Sequence, residues 1–327
     1  MEKSLDAKLE TIKSGAYGPK DFIIADAKDA DMAMGAAAPG PDRDRPGAFH
    51  TRPQYLEAMR RMTESGLVDI MLMSASSAEI LASEGLFQDS PVTPAARLND
   101  TTDIWYARGN RYVTKPSRPF STANLERVAD FADLGLYSVT FSNDLDADWE
   151  TLDAYAAFRA NAVHFGVRHF LEVFNPNPGL DVGLSPEALP GFINDSILRC
   201  LAGAVSDEQP LFLKIAYNGP KAMEELASYD PSRLVVGILG GGKGTTRDAF
   251  ELVSQAERHG ARVALFGRKI NLAEHPIALV GLMRRVVEGD VSAEEAVRAY
   301  HGELAKTGIA PHLPLADDLV ITEDVLK

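Results

Sequence analysis

A lysine, a glutamate and two glycine-rich turns are the residues whose types and spacing can do chemistry in this sequence. Lys214 stands inside an apolar run, residues 211–217 (LFLKIAY), followed by Asn218, Gly219 and Pro220. A lysine on a buried strand loses its hydration and must be neutral or paired. A neutral amine is a nucleophile: it attacks a carbonyl, and the resulting iminium ion withdraws electrons so that the neighbouring C–C bond breaks or forms. A lysine paired with a carboxylate, or snorkelling to the rim of the fold, is structural. The run alone leaves both readings open. Glu172 lies in a second apolar run, residues 169–174 (HFLEVF), and strand alternation points it to the same side as Phe170 and Phe174. It is therefore a buried acid that can pair with Lys214, move protons, or serve only as a structural ion pair.

The turns follow two later runs. Residues 240–246 (GGGKGTT) come directly after the run 234–239 and before a helical pattern. Glycines let backbone N–H groups approach an anion, and a helix N-terminus adds partial positive charge, so a phosphate suits the place. Gly237, Gly242 and Lys243 match the spacing of a nucleotide P-loop, but Gly244 stands where Ser or Thr would hold magnesium, which argues against a nucleotide. A second glycine exit, Gly267 with Arg268 and Lys269, follows the run 262–266. A tight turn is the structural alternative, although it does not readily explain three successive glycines. Other candidates are weaker. The histidines show no HxH or HExxH spacing, so no metal and no cofactor is expected. His275, before Pro276, reads as a helix cap, Tyr217 as aromatic packing and Cys200 as part of an apolar helix face. Asp100 and Asp103 either reach a site mouth or belong to a solvated loop.

These residues need elements to hold them. Eight short apolar runs, 21–26, 68–74, 102–107, 137–142, 169–174, 211–217, 234–239 and 262–266, alternate with longer helical patterns. Thr51 with Gln54 and Pro53, Ser121, Asp148, Thr245 with Asp248, and Ser292 with Glu295 open the helices; Gly66, Gly135, Gly166 and Gly260 close four of them. Eight such units without a long polar linker predict an α/β fold: a single (β/α)8 TIM barrel domain over residues 1–327, with an insertion after the first strand and a C-terminal helical tail. The insertion, residues 27–50, follows a strand and so would lie over the mouth of the barrel, as a lid or as a surface excursion.

The chain has 327 residues, 33 Lys+Arg against 47 Asp+Glu, and a formal charge of −14. That balance repels phosphodiester backbones and anionic lipids, so neither nucleic acid nor membrane is an expected partner. Apolar residues make up 45% and charged residues 24%, ordinary globular usage. No run approaches the ~20 apolar residues of a membrane span, and the start of the chain lacks an apolar leader, so a cytoplasmic location is expected.

From Leu211 to Pro276 the sequence resembles class I, Schiff-base aldolases of the deoxyribose-phosphate aldolase and archaeal-type fructose-bisphosphate aldolase group. The likeness is carried by LKIAYNG around Lys214, GGGKG at 240–244 and GRKINLAEHP at 267–276. It implies a lyase acting on a small phosphorylated or anionic sugar, in which Lys214 forms the imine, Asp26 at the end of the first strand and Glu172 handle protons, and Gly241, Gly242, Lys243, Gly267 and Arg268 hold the phosphate. It also implies a homo-oligomer. Related barrels use the aligned lysine for acyl or dihydroxyacetone transfer, so a transferase is the first alternative and a phosphosugar-binding protein without catalysis the second. Two departures stand out. The tyrosine general acid of the fructose-bisphosphate enzymes is absent from 170–175, and Asp26-Ala27-Lys28-Asp29 replaces their Asp-His-Gly.

Overall fold

A computed structural model of the chain describes residues 2–102, 105 and 107–327. Eight parallel strands close into a barrel in chain order: β1 (Ile23–Lys28), β2 (Ile70–Met73), β3 (Thr93–Arg97), β4 (Leu134–Thr140), β5 (Arg168–Phe174), β6 (Leu213–Ile215), β7 (Val236–Leu239) and β8 (Val263–Phe266). Around and between them run α1 (Ser4–Lys13), α2 (Asp31–Met34), α3 (Arg52–Glu64), α4 (Ala75–Ser83), α5 (Leu125–Val128), α6 (Leu145–Phe165) and α7 (Leu189–Ala202). Then come α8 (Pro220–Tyr229), α9 (Thr246–Arg258), α10 (Arg268–Asn271), α11 (Pro276–Val287), α12 (Ala293–Thr307) and α13 (Leu315–Asp318). No helix among the described residues is long and apolar enough to cross a membrane.

Alternation along each strand sorts the core into two layers. Ile23, Ala25, Ile70, Leu72, Ala95, Leu136, Phe170, Phe212, Val235, Val263 and Leu265 fill the barrel, and Leu5, Leu9 and Ile12 of α1 join the same cluster. The amino-terminal helix thus closes the bottom of the barrel. The opposite strand faces, Ile24, Met71, Val139, Leu171, Ile215, Ile238 and Phe266 among them, pack against the surrounding helices.

Most helix boundaries follow the sequence signals. Thr51 and Gln54 form the capping box of α3, Thr245 and Asp248 that of α9, and Ser292 and Glu295 that of α12. α6 starts slightly earlier than the sequence suggests, with Asp144 as its cap, and ends on Gly166 in the left-handed conformation. Two expectations fail. The third strand is TPAAR at 93–97, not the run 102–107, of which Asp103, Ile104 and Tyr106 lie outside the described residues. Its residues are mostly small, with a proline among them, so it lacks the bulky β-branched signature of a strand. The helix expected from Ser121 to Gly135 shrinks to the four residues of α5, capped by Asn124, while Gly135 sits inside β4. A Cβ there would lie 2.1 Å from Leu98 Cδ1, so the glycine serves strand packing rather than a helix end.

His169, on the outer face of β5, is buried and shares a 2.8 Å hydrogen bond between Nε2 and the Tyr155 hydroxyl. Burial, aided by Arg159, lowers its pKa to about 4. The unfolded chain takes up this proton near pH 6.5 and the folded chain only near 4, so folding stability falls as pH drops through that window, by about 3 kcal/mol for this group. Urea unfolding at a series of pH values should show that loss in the wild type and a shallower slope in His169→Gln; equal slopes would assign the loss to other groups.

Candidate active site

The register of the sheet sets four residues side by side on the inner face: Ser138 pairs with Glu172, Glu172 with Lys214, and Lys214 with Gly237. All four belong to neighbouring strands, β4 to β7; Ser138 and Glu172 lie in the carboxyl-terminal halves of β4 and β5. Lys214 Nζ lies 2.6 Å from Glu172 Oε1, with side-chain exposures of 7% and 2%. Glu172 Oε2 accepts a 2.9 Å hydrogen bond from the Ser138 hydroxyl. One layer lower, the rings of Phe170 and Phe212 stack at 4.7 Å and form an apolar floor beneath the pair. On the other side, close packing of β6 and β8 admits only glycine at 237: a Cβ there would lie 2.6 Å from the Leu213 carbonyl oxygen and 2.7 Å from Val263 Cβ.

Arg97, the last residue of β3, connects this ring to the first strand. Its Nη2 lies 3.6 Å from Glu172 Oε2 and 3.2 Å from Ser138 Oγ, its Nη1 bonds Asp29, and its Nε lies 3.2 Å from Asp100 Oδ1. Burial disfavours the guanidinium charge, but the carboxylates of Asp29, Glu172 and Asp100 outweigh it and hold the pKa above its usual value. Burial pushes the Asp100 carboxyl up to about 6, against the pull of Arg97. The centre therefore holds three carboxyl groups and two cations within one hydrogen-bonded cluster.

Above it opens a cleft of about 290 Å³, lined by Asp29, Arg97, Glu172, Lys214, Gly240, Gly241, Gly267 and Arg268, and by Ala30, Ala33 and Met34 from the insertion after β1. The insertion thus supplies one wall of the mouth. Gly241 has a φ of 65°, which suits glycine and leaves no Cβ between backbone and cleft. Gly267 caps the short helix α10 directly after β8. Exits seven and eight of such barrels are where phosphate sites are frequently built. Among the described residues, no group of three or more His, Cys, Asp or Glu side chains is placed to hold a metal ion.

Of the residues singled out in the sequence, the structure brings Lys214, Glu172, Gly241, Gly267 and Arg268 to this cleft. Three others fall elsewhere. Asp26 has the parity of Ile24, on the outer face of β1, and both its oxygens bond Lys28 Nζ, at 2.9 and 2.8 Å. The carboxylate that reaches the cleft here is Asp29, just past the end of this strand and two residues beyond the inward-facing Ala27. Gly242 is exposed, and Lys243 turns away to bond His312 of the carboxyl-terminal tail, outside the cleft lining. Tyr217 packs in the outer layer, its hydroxyl 3.3 Å from Gln255 Oε1, and His275 caps α11 through Nδ1. Asp100 is buried rather than solvated, and Asp103 lies outside the described residues.

Sequence reasoning missed Arg97, Asp29 and Ser138. Ser138 was readable in principle, since it has the inward parity of Leu136 on a strand the sequence marks.

No protein-family model matches the chain. A 144-residue stretch is 26% identical to 3-hydroxy-5-phosphonooxypentane-2,4-dione thiolase of Escherichia coli K12, covering 43% of this chain and 48% of that protein. The corresponding thiolase of Salmonella paratyphi A is 28% identical over the same extents. The match thus spans about half the length of these curated relatives. Among solved structures, an archaeal fructose 1,6-bisphosphate aldolase superposes with a TM-score of 0.61 at 17% identity, over 87% of this chain and 99% of that one. A fructose-bisphosphate aldolase from Slackia heliotrinireducens gives 0.62 at 13% identity, over 91% and 90%. The fold is that of archaeal-type, Schiff-base fructose-bisphosphate aldolases.

Because Lys214 and Glu172 are buried against each other, removing one partner leaves an uncompensated charge. Glu172→Leu should destabilise the fold by about 3 kcal/mol, whereas Glu172→Leu combined with Lys214→Met should recover most of that loss. Denaturant unfolding of both singles and the double checks this; additive losses would mean that the pair is not coupled.

Proposed function

We propose that the chain is a class I lyase that breaks or forms a C–C bond in a small phosphorylated or otherwise anionic sugar through an imine on Lys214. The observation that carries the reading is the buried contact of 2.6 Å between Lys214 Nζ and Glu172 Oε1 in a cleft that also contains two glycine exits. Transfer of one proton along that hydrogen bond turns ammonium and carboxylate into amine and carboxylic acid. The amine attacks the substrate carbonyl carbon, the C–O π pair moves to oxygen, and one proton passes from the nitrogen to that oxygen, giving the neutral carbinolamine. Glu172 then returns its proton so that the hydroxyl of the carbinolamine departs as water, leaving the iminium.

Cleavage requires a base for the hydroxyl two carbons from the imine carbon. As that proton leaves, the C–C electron pair flows into the iminium and gives an enamine, which is protonated at carbon and hydrolysed to free the lysine. Asp29 and Glu172 are the carboxylates available in the cleft, and the Ser138 hydroxyl donates a hydrogen bond to Glu172. Arg97 fixes Asp29 and Glu172 relative to each other. Gly241, Gly267 and Arg268 would grip the anionic end of the sugar and so orient its carbonyl toward the amine.

A second reading, transfer of the released unit to an acceptor, is favoured by the thiolase-named relatives. Both share the imine and differ only in what accepts the fragment.

Borohydride reduction in the presence of candidate ketose and aldose phosphates should add the mass of one reduced ligand to the peptide containing Lys214, and Lys214→Met should abolish the adduct. Failure to trap any adduct, or an adduct that survives Lys214→Met, would overturn the imine mechanism. Turnover without an added acceptor supports the lyase, and strict dependence on one supports the transferase.

A further inference from the structure

The last segment of the chain is bonded to the β7 exit. Thr246 N–H, at the start of α9, donates to Asp318 Oδ1 at 2.7 Å, and the Thr245 hydroxyl donates to the Val320 carbonyl at 2.8 Å. Asp248, the capping acid of α9, accepts from the N–H groups of Thr322 and Glu323 at 2.7 and 3.2 Å. Glu323 Oε1 lies 2.6 Å from Lys269 Nζ, an amine with a fully buried side chain that also reaches the Lys243 carbonyl at 3.5 Å. A Cβ on Gly244 would lie 3.2 Å from Glu323 Oε1 and 2.7 Å from Asp248 Oδ2, so these two carboxylates press directly on the glycine turn.

Two things follow from this arrangement. The amino-terminal end of α9, which would otherwise attract an anion, is already taken by the buried carboxylate of Asp318. An incoming phosphate is therefore left with the Gly240, Gly241, Gly267 and Arg268 side of the cleft. In addition, Lys269 belongs to α10, next to Gly267 and Arg268, while its amine is fastened to the turn on one side and to the tail on the other. Tail, turn and α10 are thus locked into one body.

We propose that the carboxyl-terminal segment is a positioning element of the anion-binding wall: Glu323, acting through Lys269, fixes the glycine turn and α10 relative to each other and so sets the affinity of the cleft for a phosphate group. The inference rests on the phosphate reading of the cleft given above. It makes Glu323 a positioning residue, with no contact to the reacting atoms.

Inorganic phosphate is the probe, read by the rise in melting temperature with concentration. Wild type should be stabilised by phosphate, Glu323→Ala should need about tenfold more for the same rise, and Glu323→Gln, which keeps an acceptor for Lys269, should fall between. Borohydride trapping of dihydroxyacetone on Lys214, a carbonyl without phosphate, should be the same in all three, whereas trapping of dihydroxyacetone phosphate should weaken in step with the phosphate affinity. Absence of any phosphate effect in the wild type would overturn the phosphate reading and this inference together. A clear effect in the wild type that Glu323→Ala leaves unchanged would overturn the inference alone, as would an equal loss of trapping for both carbonyl compounds.

Discussion

The contact between Lys214 and Glu172 constrains everything around it. Two ionised groups taken out of water cost several kcal/mol each unless their geometry and remaining hydrogen bonds are close to ideal. The barrel meets that demand with neighbours chosen for size and polarity. Phe170 and Phe212 exclude water from below, and Ser138 and Arg97 satisfy the glutamate oxygen that the lysine leaves open. A pair held this tightly can exchange a proton without rearrangement, which is the property an imine-forming amine needs. The same pair without a cleft above it would be structural. What supports the catalytic reading is that both residues line the cleft rather than the closed interior below it.

Parity along β1 decides which acidic side chain faces the helical layer. Asp26 lies within the strand with outward parity, and Asp29 follows directly after the strand ends. Asp26 pairs with Lys28 against the helical layer, at no exposure, where burial raises its pKa; Asp29 reaches the cleft and binds Arg97. The sequence likeness points to Asp26, whereas the carboxylate lining the cleft is Asp29, three residues on.

The same limits explain how much was legible in the sequence. Eight units, seven of the eight strand positions and the main capping boxes could be read because hydrophobic period and cap chemistry are local. Lys214 and Glu172 could be read because a charge inside an apolar run is conspicuous. β3 could not: Thr93, Pro94, Ala95 and Ala96 lack the bulk that marks a strand, and Arg97 was lost with it. The contact between Arg97 and Asp29 joins residues 68 positions apart, and no local pattern encodes it. Lys243 shows the converse. Its setting in a glycine turn suggests an anion site, and the tail residue its amine bonds, His312, lies nearly 70 residues downstream.

That tail also bears on the charge of the molecule. A chain with a formal charge of −14 that is to bind an anion must keep its carboxylates from repelling the ligand. Around the β7 and β8 exits the acidic groups are spent internally: Asp318 on a helix N-terminus, Asp248 on the backbone of 322 and 323, Glu323 on Lys269. Each carboxylate is directed at a donor of the protein itself, so its charge is offset locally and its lone pairs are occupied. The glycine side of the cleft is left next to Lys214, Arg97 and Arg268, and the charges that dominate the composition do not dominate the site. A large polyanion responds to the field of the whole surface, while a small anion responds to groups within a Debye length, about 8 Å at physiological salt. On that scale the arrangement of the tail matters more than the total.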